Sequence, residues 1–376
     1  MGATERGAAR RVLITGLSTY WGGRLAAALE ADDRIEAIIG VDVREPTREL
    51  DRTEFVKVGA EHTLIEKIVR AAEIETVIDT RMIVDSVAAP AGTSPEGIHE
   101  NNVIGTLNIL AACSAGGSPV ERLIFKSSGH WYGSAQDDPA FFAEDMTRTH
   151  RPRTGIELDV VEAEEAVSAF RVRRPEVDVT VLRFANVLGK EVDSSHVRLL
   201  SLPAVPMITG FDPRYQFVDE EDVVHALEHV ASRRLPGTFN VAADGVLAFT
   251  EVVDLLDRHP LPVITPWGTG AACSALRRLG IPISAEMVNQ LRFGRGMDNR
   301  LLKATGFHYR HTTRETVLRL RDRLRLAPVA KGVKNPYRYE PEVEEFLRRS
   351  PSVSRSRRGS STGEDEALFE PSPPVE

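Results

Sequence analysis

The side chains best suited to chemistry in this 376-residue chain crowd into one stretch, KSSGHWYG at 126–133. It follows an apolar run and presents Ser128, His130 and Tyr132 within five residues. A serine hydroxyl can hydrogen-bond a reacting oxygen. Imidazole titrates near neutrality and could carry a proton. A phenol is a weaker acid that needs a neighbouring cation to ionise at neutral pH.

A second stretch, TGLSTYWGG at 15–23, points to a bound anion. Gly16 and Gly22 stand where a strand-to-helix turn needs a tight bend and close helix packing, so that backbone N–H groups can meet a pyrophosphate. Thr19 takes the place of a middle glycine, and its hydroxyl could donate to a phosphate. Tyr20 and Trp21 follow on the same side, with Trp21 suited to a ring contact or a cleft wall. Asp42, in VDV at 41–43, could accept hydrogen bonds from ribose hydroxyls and would repel a 2′-phosphate, which favours NAD over NADP. Arg44 could offset that repulsion, so NADP stays open.

These groups need elements to hold them. RVLITG (11–16), IEAIIGVDV (35–43), ETVIDT (75–80), VERLIFKSS (120–128) and VDVTVLRFAN (177–186) read as strands. Helical segments separate them, including 21–32, 62–72, 99–116 and about 155–170. Strands apolar on both faces, alternating with helices, predict an α/β fold with a doubly wound parallel sheet of Rossmann type. The expected organisation is a flexible N-terminus (1–10), a dinucleotide-binding domain (11–189 plus 216–260) and a smaller, mainly C-terminal substrate lobe (190–215 plus 261–330). A C-terminal extension (331–349) and a Pro/Ser-rich, disordered tail (350–376) complete it.

Composition removes several classes. A net charge of -8 gives no basic field for nucleic acid. No apolar run approaches membrane-spanning length, and no signal-peptide core precedes the first strand, so a cytoplasmic protein is expected. The two cysteines, Cys113 and Cys273, lack metal or redox spacing. His225 and His229 are four apart on a predicted helix, but spacing fixes no third ligand, so no metal is expected.

Taken in order, TGLSTYWGG, VDV, NNVIGTLNIL (101–110), KSSGHWYG, VLRFANVLG (181–189), YQFVDEEDVV (215–224), TFNVAA (238–243) and MDNRLLKATGF (297–307) resemble the extended short-chain dehydrogenases/reductases. These form the NAD-dependent epimerase/dehydratase family, and the pattern is similar to UDP-glucose 4-epimerase-like actinobacterial members. The resemblance covers about residues 11–325. It implies NAD as cofactor, a small-molecule substrate such as a nucleotide sugar, and homodimers formed through helices near 99–116 and 155–170. By the same resemblance, Ser128 is the catalytic hydroxyl, Asn102 positions the catalytic strand, and Asn186 lines the substrate cleft.

The family's proton transfer rests on a tyrosine and a lysine one helical turn apart. Here Thr154 and Leu158 fall in those places, and no Tyr-x-x-x-Lys occurs elsewhere. Neither can replace the pair, because leucine carries no charge and a threonine hydroxyl is too weak an acid. Thr154 could still donate a hydrogen bond to substrate, and His130 is the nearest substitute acid/base. The cofactor pocket departs from pattern at Thr19, at Gly59 in place of an aspartate, and at Thr80 and Arg81 in place of small residues. Arg81 is expected to point into the site, either pairing with pyrophosphate or filling part of the pocket. Three readings therefore stand: a divergent epimerase or dehydratase, a binding protein without turnover (sensor, scaffold or partner subunit), and a reductase with a non-standard proton donor.

Overall fold

Seven runs of mostly β-branched and leucine residues pair side by side into one parallel sheet. In this computed structural model, which describes residues 10–58, 62–264 and 267–332, they are β1 (Arg11–Thr15), β2 (Ala37–Asp42), β3 (Thr53–Lys57), β4 (Thr76–Asp79), β5 (Arg122–Ser128), β6 (Asp178–Phe184) and β7 (Gly237–Val241). Their order across the sheet is β3-β2-β1-β4-β5-β6-β7. The chain leaves β1 towards one edge and returns at β4 towards the other. That reversal opens a crevice between the C-terminal ends of β1 and β4, the usual ligand position in such sheets.

Alternation along β1 shows why both faces must be covered. Val12 and Ile14 point into one core with Leu25, Leu29, Val223 and Leu227, while Leu13 points into the other with Val77, Ile109, Val160 and Val167. Helices α1 (Tyr20–Glu30), α2 (His62–Ala71), α3 (Pro95–His99 continuing through a π-helical turn at Glu100–Ile104 into Gly105–Ser114) and α4 (Gly155–Arg173) supply much of that cover. The doubly wound sheet expected from sequence is thus present.

Beyond β6 the chain forms α5 (Ser195–Leu200), α6 (Glu220–Ala231), α7 (Ala285–Phe293) and α8 (Thr313–Gly332), with helical segments Trp267–Arg278 and Arg300–Ala304 before and after α7. A third apolar cluster, with Val197, Val205, Phe217, Val253, Met287 and Leu320 among its members, forms the core of a C-terminal lobe, whereas α6 packs on the sheet through Val223 and Leu227. Two strands, Asn186–Leu188 and Phe217–Asp219, pair in parallel beside it. The chain divides into a compact unit through Arg325 and a second unit from Leu326, described only to residue 332. Gly59, residues 1–9 and residues 333–376, with the expected extension and tail, lie outside the described residues. Among the described residues no helix is long and apolar enough to cross a membrane.

Local chemistry sets the helix starts that matter for the cleft. The Thr19 hydroxyl donates to the Gly16 carbonyl (2.7 Å) and accepts from the Gly22 N–H (3.1 Å), capping α1. The π turn in α3 carries Asn101 and Asn102, whose side chains bond the backbone after β4. Thr154 and Glu157 form a reciprocal capping box at the start of α4.

Candidate functional site

The crevice at the sheet's C-terminal edge is a cleft of about 1260 Å³. Single small-molecule sites usually occupy roughly 300–1,000 Å³, so this one has room for a dinucleotide and a second ligand. Its wall includes Thr19, Tyr20, Trp21 and Asp42 at one end, and Ser128, His130, Asn186 and Glu286 at the other.

The first end is built by glycines that tolerate no side chain. A Cβ on Gly22 would lie 2.1 Å from the Gly16 carbonyl oxygen, so α1 can pack on the loop only with glycine there. Gly16 has φ +81°, a left-handed conformation suited to glycine. Thr80 ties the loop to β4 by donating to the Thr15 carbonyl at 2.8 Å. The Asp42 carboxylate accepts from the Ser18 N–H (2.9 Å) and hydroxyl (2.8 Å), and from the Val43 N–H (2.7 Å). It braces the loop while still bordering the cleft. The capping role of Thr19 directs its hydroxyl at the loop backbone.

Arg81 lies in a small space between the loop and α3. Its guanidinium binds Asp79 (Nε–Oδ1 3.1 Å, Nη2–Oδ2 2.9 Å) and donates to the Asn101 carbonyl (3.1 Å). Built Cβ atoms on Gly16 and Gly105 would sit 2.7 and 2.0 Å from its side chain, so both glycines make room for this arginine. The charge is engaged with Asp79 rather than projecting freely into the cleft. It still borders the cleft.

Asn102 is buried and clamps Ile83, accepting from its N–H (2.8 Å) and donating to its carbonyl (2.8 Å). It also reaches Asp159 of α4 at 3.4 Å. The residue thus joins the chain after β4, the π turn and α4. On the same wall, His99 Nδ1 lies 2.7 Å from Asp159, a hydrogen bond that raises its imidazole pKa.

At the other end, β5 delivers Ser128 into the cleft. Its hydroxyl lies 2.7 Å from His130 Nδ1, and His130 Nε2 lies 2.7 Å from Glu286 Oε2 on α7. Glu286 also accepts from Gln290 (2.6 Å) and Arg295 (3.1 Å). Burial alone would raise this carboxyl, but His130, Arg295 and Gln290 outweigh it and hold it well below the ordinary carboxylate range. A neutral imidazole donating from Nε2 to Glu286 leaves Nδ1 free to accept the Ser128 proton. Asn186 closes this end by donating to Gln290 at 3.0 Å.

The helix that carries the family's tyrosine and lysine positions offers little here. The Thr154 hydroxyl is engaged with Glu157, accepting from its N–H at 3.2 Å and donating to its carboxylate at 3.3 Å, and Leu158 is apolar. Tyr132 is buried away from the cleft. It donates to Asn240 (2.8 Å), accepts from Arg183 (2.8 Å) and stacks on Phe142. Burial pushes its phenol up to about 12, which suits a structural role. His229 bonds Thr305 (2.9 Å) and Arg233 (3.1 Å), so it presents no free ligand to His225.

Glu286 and Lys126 were not singled out by sequence reasoning. Glu286 lies far along the chain in a segment without a motif. Lys126 gave one signal, its place two residues before Ser128 on the same strand face.

Comparison with known proteins agrees with this fold. The profile of the NAD dependent epimerase/dehydratase family matches residues 12–242. An uncharacterized protein of Mycobacterium tuberculosis is 35% identical over 312 residues, covering 81% of each chain. Among solved structures, UDP-glucose 4-epimerase of Thermotoga maritima with UDP-glucose is 19% identical, with a TM-score of 0.63 over 85% of this chain and 99% of that one. The dTDP-glucose 4,6-dehydratase of Bacillus anthracis with NAD is 14% identical, with a TM-score of 0.61 over 84% and 97%. At these identities the two structures speak for the fold, whereas the profile match spans more than half of the sequence. This chain therefore belongs to the NAD dependent epimerase/dehydratase family.

Proposed function

We propose that the protein is a divergent NAD-dependent enzyme that oxidises and re-reduces a carbinol carbon of a nucleotide sugar or related diol. In this reading Ser128, His130 and Glu286 move the proton. The observation that carries the proposal is the continuous chain of two 2.7 Å contacts from the Ser128 hydroxyl through His130 to a buried carboxylate. It opens on a cleft whose far end is a glycine turn with an acidic strand end. The residues fit a dinucleotide. Ser18, Thr19 and the start of α1, which line the cleft on the turn that Gly16 and Gly22 shape, would hold the pyrophosphate, and Asp42 the adenosine ribose.

NAD, when bound, supplies the acceptor and later the donor of a hydride. The protein's own part is proton handling. Ser128 takes the substrate hydroxyl proton while passing its own to His130 Nδ1. Glu286 stabilises the imidazolium through Nε2, and reversing the relay returns the proton. General acid–base groups of this kind contribute about 10²–10⁴-fold. Asn102 acts as a positioning residue by fixing the segment after β4.

A second reading, binding without turnover, is favoured by one observation: the family's tyrosine and lysine positions hold an engaged threonine and a leucine. Homodimer formation through α3 and α4 belongs to the first reading. Leu107 of α3, more than two-fifths exposed and outside the cleft lining, supports it. Calorimetric titration of NAD and NADP into wild type and Asp42→Ala tests the cofactor assignment. We expect NAD to bind, the variant to weaken it, and NADP to bind wild type less tightly. No binding of either nucleotide would refute the proposal.

A further inference from the structure

Lys126 is a cation in an unusual place. It is 4% exposed and lines the cleft, and no hydrogen bond reaches its ammonium among the described residues. Its neighbours are rings: Trp21 of α1 with its centroid at 5.2 Å and Phe184 of β6 at 5.4 Å. The carboxylate whose charge acts on it, Asp79 of β4, is already held by Arg81 and by the Thr15 hydroxyl (2.8 Å). His130, on the turn after β5, is directed at Ser128 and Glu286. A buried ammonium balanced mainly by ring faces is costly, which suggests that it acts on something bound in the cleft.

The position says what that is. Residues two apart on a strand share a face, so Lys126 projects beside Ser128. If Ser128 holds the reacting oxygen, as the proposed function states, the hydride-carrying ring must lie next to it, within reach of the Lys126 charge. That ring is cationic when oxidised and neutral when reduced. We propose that Lys126 is a specificity-determining residue for cofactor redox state, making the cleft bind NADH in preference to NAD⁺. By linkage, tighter binding of the reduced form favours oxidation of the substrate in the first half of the reaction.

The effect carries its own pH signature. Burial pushes the Lys126 ammonium down to about 8, against the opposing charge of Asp79. The lysine is therefore mostly charged at pH 7 and mostly neutral at pH 9.5, and the discrimination should fade between them.

The test is binding alone, with no turnover required. Dissociation constants of NAD⁺ and NADH are measured at pH 7.0 and 9.5 for wild type and Lys126→Met, which keeps an unbranched apolar stem. In wild type the ratio Kd(NAD⁺)/Kd(NADH) should be about tenfold higher at pH 7.0 than at pH 9.5, as a nearby like charge at intermediate dielectric implies. In Lys126→Met it should be low and flat. The wild-type pH dependence alone carries the test should the variant fold poorly. A wild-type ratio that does not change with pH overturns the role of Lys126 while leaving dinucleotide binding intact. Failure of both nucleotides to bind overturns the proposed function, and this inference with it.

Discussion

Replacing Arg81 by alanine removes the group that both neutralises Asp79 and fills the space between Gly16 and Gly105. Asp79 is 1% exposed, and among the described residues its carboxylate keeps, beside the guanidinium, hydrogen bonds from the Thr15 hydroxyl (2.8 Å) and the Arg81 backbone N–H (3.1 Å), with the Lys126 charge nearby. Breaking one side of a buried ion pair costs about 3–5 kcal/mol, and the two remaining donors place this case near the lower end, about 3 kcal/mol. Arg81→Ala should therefore lose roughly that much stability by urea unfolding at pH 7.5. Asp79→Asn in the same chain should restore most of it, because the neutral amide no longer needs a cation. The emptied space should also let NAD bind several-fold more tightly to Arg81→Ala in calorimetry. Arg81→Met, which keeps the stem between the glycines, should lose stability without that gain. A single variant within about 1 kcal/mol of wild type, or a double variant no more stable than the single, would refute the electrostatic reasoning. Weaker NAD binding in Arg81→Ala would show instead that the guanidinium contacts the cofactor.

Gly22→Ala should abolish NAD binding and destabilise the fold by about 1–3 kcal/mol, since its Cβ would lie 2.1 Å from the Gly16 carbonyl oxygen; calorimetry and urea titration read both. Cys113 is 1% exposed and burial pushes its thiol up to about 12, so Ellman's reagent should label Cys273 in the native protein and Cys113 only after unfolding. His229 is pushed down to about 4 by burial and then by the Arg233 charge, below its unfolded value of about 6.5. The unfolded state then binds more protons between those values, so stability should fall as pH drops from about 6.5 towards 4, and less steeply in His229→Gln.

Much of this architecture could be read from residue order. Val/Ile/Leu-rich runs broken by helices can satisfy their two apolar faces only in a covered parallel sheet, and Gly16, Gly22 and Asp42 lie where such a sheet places a turn and a strand end. Ser128 drew notice by its place at the end of an apolar strand and by the family resemblance. The rest depended on contacts that spacing does not encode. Nothing around Glu286 announces that α7 folds back onto His130. The direction of Arg81 depends on Asp79, two residues earlier, and on two distant glycines that leave it room. Thr154 stands at the tyrosine position by resemblance, yet its local sequence, with glutamate three residues on, is that of a helix cap. Lys126 was visible in the strand alternation but reads as an ordinary surface lysine until its burial is known.

In the proposed reaction the relay from Ser128 through His130 to Glu286 moves a proton during hydride transfer. It is tested most directly by isotope exchange between bound NAD and a panel of UDP- and dTDP-sugars in wild type, Ser128→Ala and His130→Gln. We expect exchange with at least one sugar in wild type and a loss of about 100-fold or more in each variant, with NAD affinity within a few-fold of wild type. Exchange that continues at the wild-type rate in His130→Gln would contradict it.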